Sequence, residues 1–185
     1  MEAGLFHPRR IRLWRKSRIS IGVVCRTVLA LSVEPSKQSP ASTTPKMILP
    51  ITKKGAHVLH RPSETVADAE FSTPELKILV TNMLESMHAA KGVGIAAPQI
   101  GVGKRIFIAD SPDGPIALVN PSFVKKGGLT VMDEEGCLSV PGHFDTVGRA
   151  STVTVEARTV DGDPVRFSAK DFFARVHQHE MDHLD

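Results

Sequence analysis

The chain is 185 residues long, 41% apolar and 5% aromatic with no Tyr, which bounds it to one domain with room for a real core. Its net charge of +3 joins two unlike parts: residues 1–46 carry nine Lys/Arg and two acids, while the remainder carries 14 basic and 18 acidic residues. A body of net charge −4 gives no reason to expect nucleic-acid binding, despite a pI of about 9.0.

The stretch R-R-I-R-L-W-R-K-S-R (9–18) is Arg-rich and nearly free of acid, and S-K-Q-S-P-A-S-T-T-P (36–45) is rich in Ser, Thr and Pro. This is the composition of an organellar transit peptide. Two readings stand beside it: a secretory signal, interrupted by Arg26 within the apolar run 19–33, and an upstream extension before a true start at Met47. The apolar pieces on either side of Arg26 are too short to span a bilayer, so no membrane partner is expected. The expected organisation is a basic leader over 1–46, cleaved or disordered, and a folded body over 47–185. A targeting leader places the protein in a mitochondrion or plastid; otherwise it is expected in the cytoplasm. Cys25 lies in the leader and Cys137 in the body, so the body cannot close an internal disulfide. That favours a reducing compartment and leaves Cys137 free for chemistry.

In the body, Ser72-Thr-Pro-Glu75 has the form of a capping box with Pro in the first turn. Leu76, Leu79, Val80, Met83 and Met87 follow at helical spacing and predict an amphipathic helix ending near Gly92. Gly92-Val-Gly-Ile-Ala-Ala-Pro-Gln99 comes next, a small-residue segment whose backbone can approach a ligand closely and whose Gln99 amide could donate to an oxyanion. Strands are predicted over 105–109, 116–120, 151–158 and 165–167, separated by turn signals S-P-D-G-P, K-K-G-G and D-G-D-P. Ser168-Ala-Lys-Asp171 reads as the cap of a last helix on which Phe172, Val176, His179 and His183 share a face. The class is α+β, with antiparallel sheets around a C-terminal helix that carries H-E-x-x-H.

His179 and His183 stand about 40° apart around the helix axis, so both can converge on one ion. Glu180 is offset by about 100° from His179, which lets it reach a water beside the ion without being a ligand. His177, about 200° from His179, is an unlikely ligand on the same geometry. A catalytic site of this kind takes three protein ligands, and only Leu184 and Asp185 follow. The third must come from upstream, where His57, His60, His88, His143 and many carboxylates are available. Cys137, within E-E-G-C-L-S-V-P-G, is the sharper candidate because a thiolate is a strong ligand for a transition metal.

Together G-V-G-I-A-A-P-Q (92–99), E-G-C-L-S (135–139) and Q-H-E-M-D-H-L (178–184) resemble, in order, the three motifs of the peptide deformylase family. The resemblance covers the chain from about Met47 onward. It implies an α+β fold, Cys137, His179 and His183 as metal ligands, and Glu180 as catalytic acid and base. It further implies an oxyanion hole from the Gln99 side chain and the Leu138 backbone N–H. Val93, Gly94 and Gly136 would hold the substrate backbone, and Val176 would border the pocket for its first side chain. The implied cofactor is one divalent metal ion, Fe²⁺ natively, with Zn²⁺, Ni²⁺ or Co²⁺ able to replace it. The implied substrates are N-formylated nascent polypeptides met at the ribosome. The family continues beyond H-L, so the body is expected to lack a segment after the H-E-x-x-H helix. His183 then falls in a final turn, and fraying there is expected to weaken metal retention. Two alternatives to deformylation are an inactive truncated homologue or metal-binding module, and a zincin-type metallopeptidase, which would need a ligand downstream.

Overall fold

The computed structural model describes residues 46–185, so the leader lies outside the described residues except for Lys46. Short 3-10 turns at His57–His60 and Asp68–Glu70 lead to helix α1, Pro74–Ala89. The cap of α1 is Thr73, one residue later than the capping box predicted: its hydroxyl accepts from the Leu76 N–H at 3.3 Å, and Pro74 is the first helical residue. Ser72 instead donates to the Asp161 carbonyl. Leu76, Met83 and Met87 are buried as the periodicity requires. Asn82 and Ser86 are buried too, because they accept from the Met47 and Leu49 N–H groups at 2.9 and 2.8 Å and so hold the first segment of the body on α1.

Five strands form one antiparallel sheet in chain order, which replaces the several sheets expected: β1 Gly94–Ala96, β2 Ile106–Ala109, β3 Ile116–Cys137, β4 Val140–Arg158 and β5 Pro164–Lys170. The sheet is covered on both faces. Ile106 and Ile108 of β2 pack with Leu76, Met83 and Met87 of α1. Phe107 and Ala109, which point the other way, pack with Ala174, Val176 and Met181 of helix α2, Asp171–Asp182. This explains why all four residues of β2 are buried. On β4, Val153, Val155 and Ala157 face the α2 side, while Glu156 between them is exposed, as the alternation there predicts.

The sequence reading misses most of the β3–β4 hairpin. K-K-G-G is not a turn: β3 continues through it with a bulge between Gly127 and Thr130. Gly128 sits there at φ +75°, and a Cβ would collide with the Ser151 hydroxyl. The real turn is the two-residue connection Leu138-Ser139, which puts Cys137 at the tip of the hairpin. Ser168 also differs from its predicted role. It pairs with Thr154 inside β5, and α2 starts after Lys170 without a side-chain cap. No helix among the described residues is long and apolar enough to cross a membrane.

Candidate metal centre

Two elements supply the centre. His179 and Glu180 lie in the last turns of α2, and His183 caps it at φ −76°, ψ −14°, still in the helical region. The residues after it are packed and bonded. Leu184 is fully buried, its carbonyl accepts from the Ser63 N–H at 2.8 Å, and the Arg105 guanidinium lies 2.8 Å from the Asp185 carboxylate. Arg105 thus supplies the positive charge that the carbonyl end of a helix dipole favours.

From the hairpin tip, the Cys137 sulfur stands 3.3 Å from His183 Nε2. The ligand atoms of Cys137, His179 and His183 all lie within 4.8 Å of one another, and no other such group of His, Cys, Asp and Glu occurs among the described residues. His57, His60 and His88 therefore have no part in it, while His143 only lines the neighbouring cleft. His177 points away from the centre. Its ring is buried between Phe107 and Phe167, and its Nδ1–H donates to the Phe173 carbonyl at 2.7 Å.

One sulfur and two imidazole nitrogens are a donor set suited to Zn²⁺, Fe²⁺ and similar ions, and three protein ligands leave a position open. The detail of His179 fits a metal. Its Nδ1 is engaged by Glu135 Oε2 at 3.0 Å, while its Nε2 is buried with no hydrogen-bond partner among the described residues. That is how a ligating imidazole is held, by a carboxylate on the far nitrogen. Burial pushes the Cys137 thiol up, but the His179 and His183 imidazoles beside the sulfur outweigh it and bring the pKa down to about 5. The same contacts, with Glu135, raise His179 against the effect of burial.

Glu135 and its partners were missed in the sequence. Burial would raise this carboxyl, yet hydrogen bonds from His179 and Arg149 hold it at about 2. Arg149 grips it with two nitrogens, at 2.9 and 3.0 Å, and Arg175 donates to it at 2.7 Å. An acid two residues before Cys137 was visible in E-E-G-C, but its arginines stand 14 and 40 residues away in the chain.

Glu180 is completely buried, and neither carboxylate oxygen has a hydrogen-bond partner among the described residues. Burial raises its pKa, and although His179 and His183 pull the other way it stands at about 7. Such a group can both take and return a proton near neutral pH. Gln99, in a 3-10 turn at Ala97–Ile100, accepts from the Ala96 N–H at 2.8 Å through its amide oxygen. Its amide nitrogen therefore faces the centre, 3.5 Å from the Cys137 sulfur and 3.4 Å from the Ser139 hydroxyl. Ser139, also missed, is buried beside it.

The remaining expected residues divide. Gly136 lines a cleft of about 540 Å³ that opens onto Cys137, His179 and His183. Gly94 abuts Glu180. Leu138 buries its side chain on the α1 side of the sheet, and its carbonyl accepts from Lys53 at 3.2 Å. Val93 and Val176 are packed in the core between the sheet and α2 and do not line the cleft.

A sequence model of the family described as polypeptide deformylase matches residues 48–185. A peptide deformylase of Acidobacterium capsulatum is 44% identical over 144 residues, covering 75% of this chain and 82% of the relative. Two crystal structures of a class I type b peptide deformylase from Acinetobacter baumannii superpose with TM-scores of 0.72. The one bound to Met-Ala-Ser is 35% identical and covers 75% of this chain and 95% of its own. The one bound to actinonin is 36% identical and covers 75% and 93%.

Proposed function

The chain belongs to the peptide deformylase family, and on that premise we propose that it hydrolyses the N-formyl group from the formyl-methionyl end of newly made polypeptides, releasing formate. One observation carries this reading. Three donors suited to a metal, Cys137, His179 and His183, meet beside the buried carboxylate of Glu180, which has no hydrogen-bond partner among the described residues.

These three residues would hold one divalent ion, natively Fe²⁺, with Zn²⁺, Ni²⁺ or Co²⁺ able to replace it. When bound, such an ion supplies hydroxide from water near neutral pH and, as a Lewis acid, stabilises charge developing on a carbonyl oxygen. Glu180 takes the proton from the attacking water and later returns it to the nitrogen of the departing amine. The water oxygen bonds to the formyl carbon, the C–N bond breaks, and formate and a free amino terminus result. Charge on the formyl oxygen is met by the Gln99 amide and the Leu138 backbone N–H. Backbone at Gly94 and Gly136 aligns the peptide, with its methionyl side chain in an apolar pocket. An apolar pocket of this kind separates unbranched side chains by only about 1–3 kcal/mol per methylene.

The substrates are met at the ribosome, and the Arg-rich leader supports an organellar location, in mitochondrion or plastid. Formate release from formyl-Met-Ala-Ser by the purified protein, loaded with Fe²⁺ without air or with Ni²⁺, tests the activity. Turnover is expected. A protein that binds one metal per chain yet releases no formate from any formyl-Met peptide would remove this reading.

A further inference from the structure

The hairpin that carries Cys137 has a weak claim on the core. Among the described residues, Leu138 at its turn is buried on the α1 side of the sheet, but no other apolar side chain from 124–152 belongs to either buried hydrophobic cluster. Leu129, Val131 and Met132 on β3 and Phe144 on β4 are exposed. Yet one ligand stands at the tip of this arm and two stand on α2, so the spacing of the three depends on how arm and helix are joined. The joint is polar. Gln178 of α2 accepts from the Ala150 N–H at 3.1 Å and donates to its carbonyl at 2.8 Å. Arg149 of β4 reaches Asp182 of α2 at 2.5 Å as well as Glu135.

Arg175 is the centre of this joint. It lies one helical turn before His179, is 4% exposed, and spends its guanidinium on both strands of the arm. It donates to the carbonyls of Val131 and Asp133 on β3 and of Val147 on β4, and to Glu135 Oε1 at 2.7 Å. The other oxygen of that same carboxylate holds His179 Nδ1.

We propose that Arg175 is a positioning residue: by clamping β3, β4 and Glu135 onto α2, it sets the distance between Cys137 and the two histidines and the orientation of the His179 ring. Its hydrogen bonds go to the arm and to Glu135, and none to the three ligands. The planar fork is needed because a lysine ammonium in its place could satisfy only part of a four-acceptor cage. The inference rests on the three-ligand site of the proposed function and goes beyond it in assigning what builds that site.

The experiment compares wild type, Arg175→Met, Arg175→Lys and Met83→Ala, the last a core variant on α1, which covers the face of the sheet opposite α2. Each is loaded with Co²⁺, and four things are read: the visible Co²⁺ spectrum, metal retention against a chelator, kcat and KM for formyl-Met-Ala-Ser, and the midpoint of thermal unfolding. Arg175→Met is expected to lose metal affinity by about 10–100-fold, as loss of outer-shell support typically does. Its Co²⁺ spectrum should shift, with Arg175→Lys intermediate. Met83→Ala should lower the unfolding midpoint while keeping wild-type spectrum and affinity. If Arg175→Met does not fold, Arg175→Lys carries the comparison alone. Wild-type spectrum and affinity in the Arg175 variants would overturn the inference, as would equal metal loss in Met83→Ala. In either case wild-type deformylation would leave the proposed function standing. A wild-type chain that takes up no Co²⁺ through a thiolate overturns both.

Discussion

Gly94 lies against the carboxylate of Glu180 so closely that any Cβ at position 94 would collide with it. The contact joins the first strand of the sheet to the helix that bears the metal-type ligands, and it is why a small-residue segment must stand there. Gly94→Ala is therefore expected to displace the carboxylate while leaving Cys137, His179 and His183 in place. The measured result should be a kcat lower by about 10²–10⁴, the usual worth of a positioned proton-transfer group, with metal content unchanged. Metal loss on the same scale would mean that the glycine serves the fold of the whole centre.

Glu180→Gln removes the proton acceptor without changing the volume of a fully buried side chain. Turnover should vanish and metal content stay near one per chain, as metal analysis would show. Loss of metal along with turnover would make Glu180 structural.

Gln99 spends its amide oxygen on the Ala96 N–H, and that bond is what aims the amide nitrogen at the centre. Gln99→Leu keeps the bulk and removes the donor. A fall of about 10²–10³ in kcat with little change in KM is expected, since such a donor acts on charge that develops only in the transition state. A change confined to KM would assign Gln99 to ground-state binding.

The metal-free protein makes a prediction about pH. With the Cys137 pKa lowered to about 5, the thiolate fraction rises with pH through that value and is already near full at neutral pH. Alkylation by iodoacetamide should follow a curve with its midpoint near 5, in contrast to about 8.5 for an ordinary thiol. Added metal should protect the residue. A midpoint near 8.5 would show that the two histidines do not stabilise the thiolate.

Arg105 closes the end of α2 by pairing with Asp185 and reaching the Leu184 carbonyl at 3.4 Å. Arg105→Ala should cost about 0.5–1.5 kcal/mol in unfolding free energy, the range for an ordinary hydrogen bond, because the Asp185 carboxylate is mostly exposed. Because His183 caps that helix, chelator competition should show weaker metal retention as well. Lower stability with unchanged retention would detach the helix end from the centre.

Features that depend on neighbours in the chain were legible. The spacing of His179, Glu180 and His183, the apolar period of α1 and the alternation around Val153 and Val155 are local geometry, and each is present as read. The hairpin arm was not legible, because alternation marks a strand only when one face is buried, and most of this arm is exposed on both. Its glycines, read as a turn, serve a bulge for the same reason: a left-handed backbone is common to both.

The sequence by itself thus determined which side chains are able to ligate a metal, since donor chemistry and helical spacing need no partner to be recognised. Tertiary structure alone decided that Cys137 meets the two histidines, that Glu180 is buried against Gly94, and that Glu135 is held between two arginines. The physical reason is that burial and charge pairing belong to space. A carboxylate acquires a pKa of about 7 or about 2 from what the fold packs around it, and both occur here in the same centre.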